Sequence, residues 1–127
     1  MYLLSPRTHA IIALLIGLGL MLSPNIFSFV DAGGAAVMFP RTIGLIIIIS
    51  ELAAENRLIG TRGVSMWLHT RFDMGLGFLA MIGPWLYDYG NYGVTTWLPQ
   101  VLIGFLLILN ALVTRSTYRK KGYTING

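Results

Sequence analysis

The amino-acid sequence predicts an all-α membrane fold: four transmembrane helices formed by two parallel two-helix repeats, with both termini cytoplasmic. Three observations predict it. Apolar stretches at about residues 9–30, 37–54, 72–89 and 97–114 each approach the roughly 17–25 residues that a helix needs to cross a hydrocarbon core. The second pair of stretches echoes the first sixty residues later. Finally, the basic residues gather on one side of the stretches. Composition agrees, because only 11% of the chain is charged, whereas soluble domains carry roughly 25%. The mean hydropathy is +0.70. The 127 residues read as a single integral membrane domain whose spans use nearly the whole length, which leaves no room for a soluble catalytic domain. The first stretch lacks a small-residue cleavage site and three more follow it, so it reads as a span and not as a signal peptide. There is no cysteine, which excludes disulfides, thiolate catalysis and cysteine-ligated metal clusters.

The elements follow in order. Span one opens with His9, carries Gly17 and Gly19, and reaches the phrase Leu22-Ser23-Pro24-Asn25. Pro24 lies about fifteen residues past His9, roughly 22 Å at the helical rise, in the outer part of the membrane. Proline removes a donor and clashes with the carbonyl four residues back, so a kink or a helix end is expected there. Phe27 and Phe29 suit the outer aromatic belt. Span two is expected to start near Pro40, where proline fits a first helical turn, and it carries Gly44, Ser50 and Glu51. The connection at 56–70 holds Arg57, Arg62, Trp67 and His69 and reads as a short interfacial segment. Span three repeats the first pattern with His69, Gly75, Gly77 and Ile82-Gly83-Pro84-Trp85, followed by Tyr87, Tyr89 and Tyr92. Arg71 and Asp73 are expected to anchor its start, and Asp88 to shape the outer hairpin. Span four begins near Pro99 and carries Gly104 and Asn110.

At the offset of sixty, His9 meets His69, Gly17 meets Gly77, Pro24 meets Pro84, Gly33 meets Gly93 and Gly44 meets Gly104. Leucine and isoleucine matches are cheap in apolar sequence, but histidine, glycine and proline matches at one offset point to a duplication. Repeat 1 covers about 9–54 and repeat 2 about 69–114. Two spans per repeat give both repeats one orientation, related by a pseudo-twofold along the membrane normal. Gly17, Gly44, Gly77 and Gly104 hold equivalent places, and small residues let membrane helices approach closely, so these four are expected at helix contacts.

Charge sets the orientation. Arg7, Arg57, Arg62, Arg71, Arg115, Arg119, Lys120 and Lys121, eight of the nine basic residues, fall on one side, and Arg41 falls on the other, near Asp31. The positive-inside rule places the basic side in the cytoplasm. The basic tail adjoins a membrane exit and suits anionic head groups, so no nucleic-acid partner is expected.

The phrase small–Pro–Trp, set after a glycine in an odd span and repeated in a two-plus-two hairpin chain, resembles the SPW-repeat family of small bacterial integral membrane proteins. The residues that carry the resemblance are Gly77-x5-Gly83-Pro84-Trp85 and Gly17-x5-Ser23-Pro24-Asn25. Repeat 1 has Asn25 in place of tryptophan, and repeat 2 has Gly83 in place of serine. The resemblance implies a four-helix membrane protein of bacterial type and brings no catalytic residue to transfer; the expected location is the inner membrane, as a multi-pass protein.

Two sets of polar residues stand out for chemistry. His9 and His69 occupy equivalent heights and are candidates for holding a haem or a metal between the repeats, although two interfacial rings facing head groups would look the same in sequence. Glu51 falls in the cytoplasmic half of span two and breaks the repeat, since its counterpart is Ala111. Ionisable groups in spans usually face a bundle interior or water, so Glu51 with Ser50 and Asn110 forms a candidate intramembrane polar site; the favoured reading is structural, with Glu51 near the cytoplasmic interface and paired with Arg57 or another cytoplasmic base. No phosphate loop, nucleophile elbow or His-x-x-x-His pair occurs, and neither a catalytic residue nor a cofactor is expected. The sequence favours a non-enzymatic membrane protein, an accessory subunit or self-associating scaffold that meets the lipid bilayer and a homo-oligomer or larger complex. A small transporter or channel with Glu51 in its path is the alternative, and a haem-binding electron carrier using His9 and His69 is a minor one.

Overall fold

Ser5 and Ser65, sixty positions apart, each start a helix. In the computed structural model, which describes residues 4–54 and 65–114, the Ser5 hydroxyl accepts from the Thr8 N–H at 3.2 Å and the Ser65 hydroxyl from the Leu68 N–H at 3.4 Å. These side chains satisfy donors that the first helical turn leaves open. The helices they cap are α1 (Pro6–Ile26) and α3 (Met66–Leu86), each of 21 residues. α2 (Gly34–Ala53) and α4 (Val94–Leu112) complete the four.

α1 and α3 stop in the same way. Each helix ends two residues beyond its proline, at Ile26 and Leu86. The Phe29 N–H donates to the Pro24 carbonyl at 2.9 Å, and the Tyr89 N–H to the Pro84 carbonyl at 2.7 Å. Between them Ser28 and Asp88 take positive φ, 58° and 62°. This is the Schellman arrangement, with a left-handed residue turning the chain so that a later N–H reaches back across the helix end. The turn is tight, and the even helices consequently begin earlier than the sequence suggests. α2 starts at Gly34 and α4 at Val94, so Pro40 and Pro99 lie in the second helical turn and not at the start.

Each proline also leaves a carbonyl without its helical donor, four residues back. For Pro24 that carbonyl belongs to Leu20, and the Ser23 hydroxyl donates to it at 2.8 Å. For Pro84 it belongs to Ala80, and Gly83 has no hydroxyl to offer. The Gln100 side-chain amide donates there instead, at 2.8 Å from α4. Gln100 in turn accepts from the Tyr89 hydroxyl at 2.8 Å. Burial pushes the Tyr89 phenol up to about 12, so it remains a donor at all ordinary pH. The glycine at 83 has its own cause, because a Cβ there would lie 2.1 Å from the Phe39 ring of α2.

The helix pairs close through glycine. A Cβ on Gly44 would meet the Gly17 carbonyl at 2.5 Å, and one on Gly104 would meet the Gly77 carbonyl at 2.6 Å. Backbone therefore touches backbone in both α1–α2 and α3–α4. Gly19 and Gly75 have open space around them. Ala13, Ile16, Leu20, Ile43, Ile47, Leu76, Ala80 and Leu107 fill the core, while Leu15, Met38, Ile49, Phe78 and Leu102 point outward. Among the described residues, three helical stretches, Arg7–Ile26, Gly34–Ala53 and Val94–Leu112, are long and apolar enough to cross a membrane. α3 is as long as these, but it carries His69, Thr70, Arg71 and Asp73 near its start.

Gly44→Ala should lower stability by about 1–3 kcal/mol, the usual cost of overpacking, whereas Gly19→Ala should change it little. Thermal unfolding in detergent compares the two. Gln100→Leu should cost more than Ser23→Ala, because it strands both the Ala80 carbonyl and the Tyr89 hydroxyl at about 1–3 kcal/mol for each unsatisfied group. The same unfolding assay ranks them, and equal losses would show that the Tyr89–Gln100 bond adds nothing beyond the satisfied Ala80 carbonyl.

Candidate functional site

The first turns of α1 and α3 and the last turns of α2 and α4 meet at one end of the bundle. Leu4, just before α1, donates its N–H to the Val113 carbonyl at 3.0 Å. At this end four ionisable side chains converge: His9 from α1, Glu51 from α2, and His69 and Asp73 from α3. Their exposures are 0%, 1%, 2% and 0%. His9 is three residues into its helix and Asp73 seven, so the centre lies about 5–10 Å inside the helix ends at the helical rise.

Both histidines turn Nε2 toward the carboxylates. His9 Nε2 lies 2.8 Å from Asp73 Oδ2 and 3.8 Å from Glu51 Oε1. His69 Nε2 lies 2.9 Å from Glu51 Oε1 and 3.3 Å from Asp73 Oδ2. The rings stand edge to face, with centroids 5.3 Å apart. Both Nδ1 atoms meet hydroxyls: His9 meets Thr114 Oγ1 at 2.8 Å, and His69 meets Ser50 Oγ at 3.2 Å. The Asn110 amide donates to the His9 carbonyl at 3.3 Å. Asp73 Oδ1 and Asn110 Oδ1 are buried with no hydrogen-bond partner among the described residues.

The sequence candidates divide as follows. His9, His69, Glu51, Ser50 and Asn110 all come together here. Both histidines are buried in the bundle, with their rings turned toward the carboxylates. Glu51 meets His69; Arg57, expected as its partner, lies outside the described residues, as do Glu55, Arg62, Arg115, Arg119, Lys120 and Lys121. Gly17, Gly44, Gly77 and Gly104 lie at the helix contacts along the bundle, and Pro24 and Pro84 near the opposite helix ends. At that far end Arg41 donates to Asn25 at 2.9 Å, and not to Asp31. Trp85, the counterpart of Asn25, packs on Trp97 with centroids 5.5 Å apart. Trp67 lies under the Arg71 guanidinium, 4.7 Å from the ring centroid.

Asp73 was not among the polar-site candidates, although His69-x3-Asp73 sets both side chains on one helical face. Thr114 gave no sequence signal at all, since its counterpart is Ala54. The places related to Asp73 and Glu51 at the offset of sixty hold Ala13 and Ala111, both buried, so the acids occupy the centre asymmetrically. A haem does not fit. Carboxylates fill the space that a porphyrin would need beside each Nε2. The four ligand atoms, two imidazole nitrogens and two carboxylate oxygens, all lie within 4.8 Å of one another.

α2 and α3 leave a groove of about 420 Å³ between them, lined by Ile46, Ile49, Ala53, Leu68 and Phe72, with Ser50 and His69 on its inner wall. Comparison with known proteins adds one result. The family model described as the SPW repeat domain matches residues 7–114. No curated protein and no solved structure matched the chain.

Proposed function

The chain belongs to the SPW repeat family, and from that premise we propose that it is a non-enzymatic, multi-pass module of the bacterial inner membrane, an accessory subunit or self-associating scaffold. The observation that carries this reading is the groove between α2 and α3. It is open to the surface and mainly apolar, and its volume of about 420 Å³ leaves room for side chains of another membrane helix. Shape-matched packing drives association between helices in lipid, where apolar burial alone gives no advantage. α3 crosses as the fourth span, with His69, Thr70 and Asp73 shielded in the bundle and Arg71 at the boundary. The two hairpins then share one orientation, with both termini and the central connection in the cytoplasm.

The buried centre favours a second reading, a small transporter with Glu51 in its path. A lone acid would argue against proton movement, but Glu51 has three ionisable neighbours. Proton relays are built from such chains of titratable groups.

Native mass spectrometry in gentle detergent should show an oligomer or a stable complex, and Ala53→Trp, which fills the groove, should dissociate it. A monomer in both samples would refute the scaffold. Proton flux into liposomes that Glu51→Gln abolishes, with assembly unchanged, would promote the transporter. Orientation has its own test: cysteines at Thr61 and Ser116 should resist impermeant thiol reagents in intact cells, while one at Asn91 should label.

A further inference from the structure

We propose that His9, Glu51, His69 and Asp73 form a binding site for one divalent first-row transition metal ion, with both Nε2 atoms and one oxygen of each carboxylate as ligands. The proposal goes beyond the scaffold reading and rests on the geometry of the centre alone.

Ligand spacing is the first argument. The four nitrogen–oxygen separations run from 2.8 to 3.8 Å, and all four ligand atoms lie within 4.8 Å of one another. A tetrahedral ion with bonds of about 2.0–2.1 Å needs ligand–ligand edges of about 3.3–3.4 Å, inside that range. Small side-chain adjustments would open the centre to admit an ion.

Tautomer is the second. The Thr114 hydroxyl donates its one proton to the Asn110 carbonyl. Its oxygen can therefore only accept from His9, so His9 Nδ1 carries a hydrogen. A neutral His9 then presents a bare lone pair at Nε2, toward Asp73. Metal-binding histidines are commonly oriented in this way, with the second ring nitrogen donating to a nearby oxygen. Ser50 stands in the corresponding place beside His69 Nδ1.

Burial is the third. Each Nε2 already faces a buried carboxylate oxygen, His9 toward Asp73 and His69 toward Glu51. A divalent ion at the centre would balance the charge of two carboxylates that water cannot reach. Asp73 Oδ1 is buried beside the centre without a hydrogen-bond partner among the described residues. The donor set narrows the ion. Two imidazoles and two carboxylates, with no thiolate or thioether, suit zinc, manganese, iron or cobalt. Calcium, which takes six to eight oxygens, does not fit.

The test uses the full chain in detergent, purified without a polyhistidine tag. Zinc titration by calorimetry should give one ion per chain. Cobalt should give the intense visible bands of a low-symmetry four-coordinate site. Asp73→Asn and His69→Gln should abolish both signals, and Thr114→Val should weaken zinc binding about 10- to 100-fold by releasing the ring. Helical content and elution volume check that each variant folds. If a variant fails to fold, the zinc stoichiometry and cobalt spectrum of the wild type decide alone. No zinc binding by the wild type, or binding that survives in folded Asp73→Asn and His69→Gln, overturns the proposal and leaves a purely hydrogen-bonded centre.

Discussion

A backbone or side-chain polar group inside hydrocarbon has no water to turn to, so it must find its partner within the protein. Much of this fold can be derived from that requirement. Proline at 24 and at 84 exposes a carbonyl, and each repeat repairs the damage with what it has. Repeat 1 uses Ser23, one residue away in the same helix. Repeat 2 has Gly83 at that position because the Phe39 ring occupies the space, and it recruits Gln100 from the neighbouring helix. A single change in packing has thereby moved a hydrogen bond from within a helix to between helices, and tied α3 to α4. The serine and the glycine of the two proline phrases are alternative answers to one demand.

The same demand shapes the other end. Four ionisable groups would be costly there if each stood alone, and they become tolerable by facing one another. Glycine makes the convergence possible. With Gly17 on Gly44 and Gly77 on Gly104, each hairpin closes to backbone contact, and the helix ends that carry His9, Glu51, His69 and Asp73 are drawn in together. Close packing in the middle of the bundle and polar contact at its end are two parts of one arrangement.

Much of this was legible in the sequence because the repeat is visible there. Glycines and prolines recur at a fixed offset, and the membrane setting follows from hydropathy; the matching Ser5 and Ser65 caps emerge only with the helix starts. The elements least legible were those that depend on the partner helix. Nothing in residues 94–112 marks Gln100 as the donor for a carbonyl on α3. Thr114 is an ordinary residue at the edge of a span until Leu4 and His9 are placed beside it. Asp73 was readable as a helical neighbour of His69, but its burial was not, because Arg71 and Thr70 beside it suggest a wet boundary. Pro40 and Pro99 misled for a local reason: proline is common in a first turn, while here the Schellman turns end so quickly that helix has begun before either proline.

Leu4 hydrogen-bonds to Val113, so the path into the first hairpin begins where the path out of the second ends. The two hairpins are arranged as a closed ring, and the ring has no structural beginning. A gene that encoded 65–114 first and 4–54 second would ask its new junction to cross almost no distance, and Phe39 would still meet Gly83 and His9 would still meet Asp73. The order of the halves is a property of translation, not of the architecture. What the architecture does distinguish is content: one half must bring the glutamate at the end of its second helix, and the other the aspartate at the start of its first.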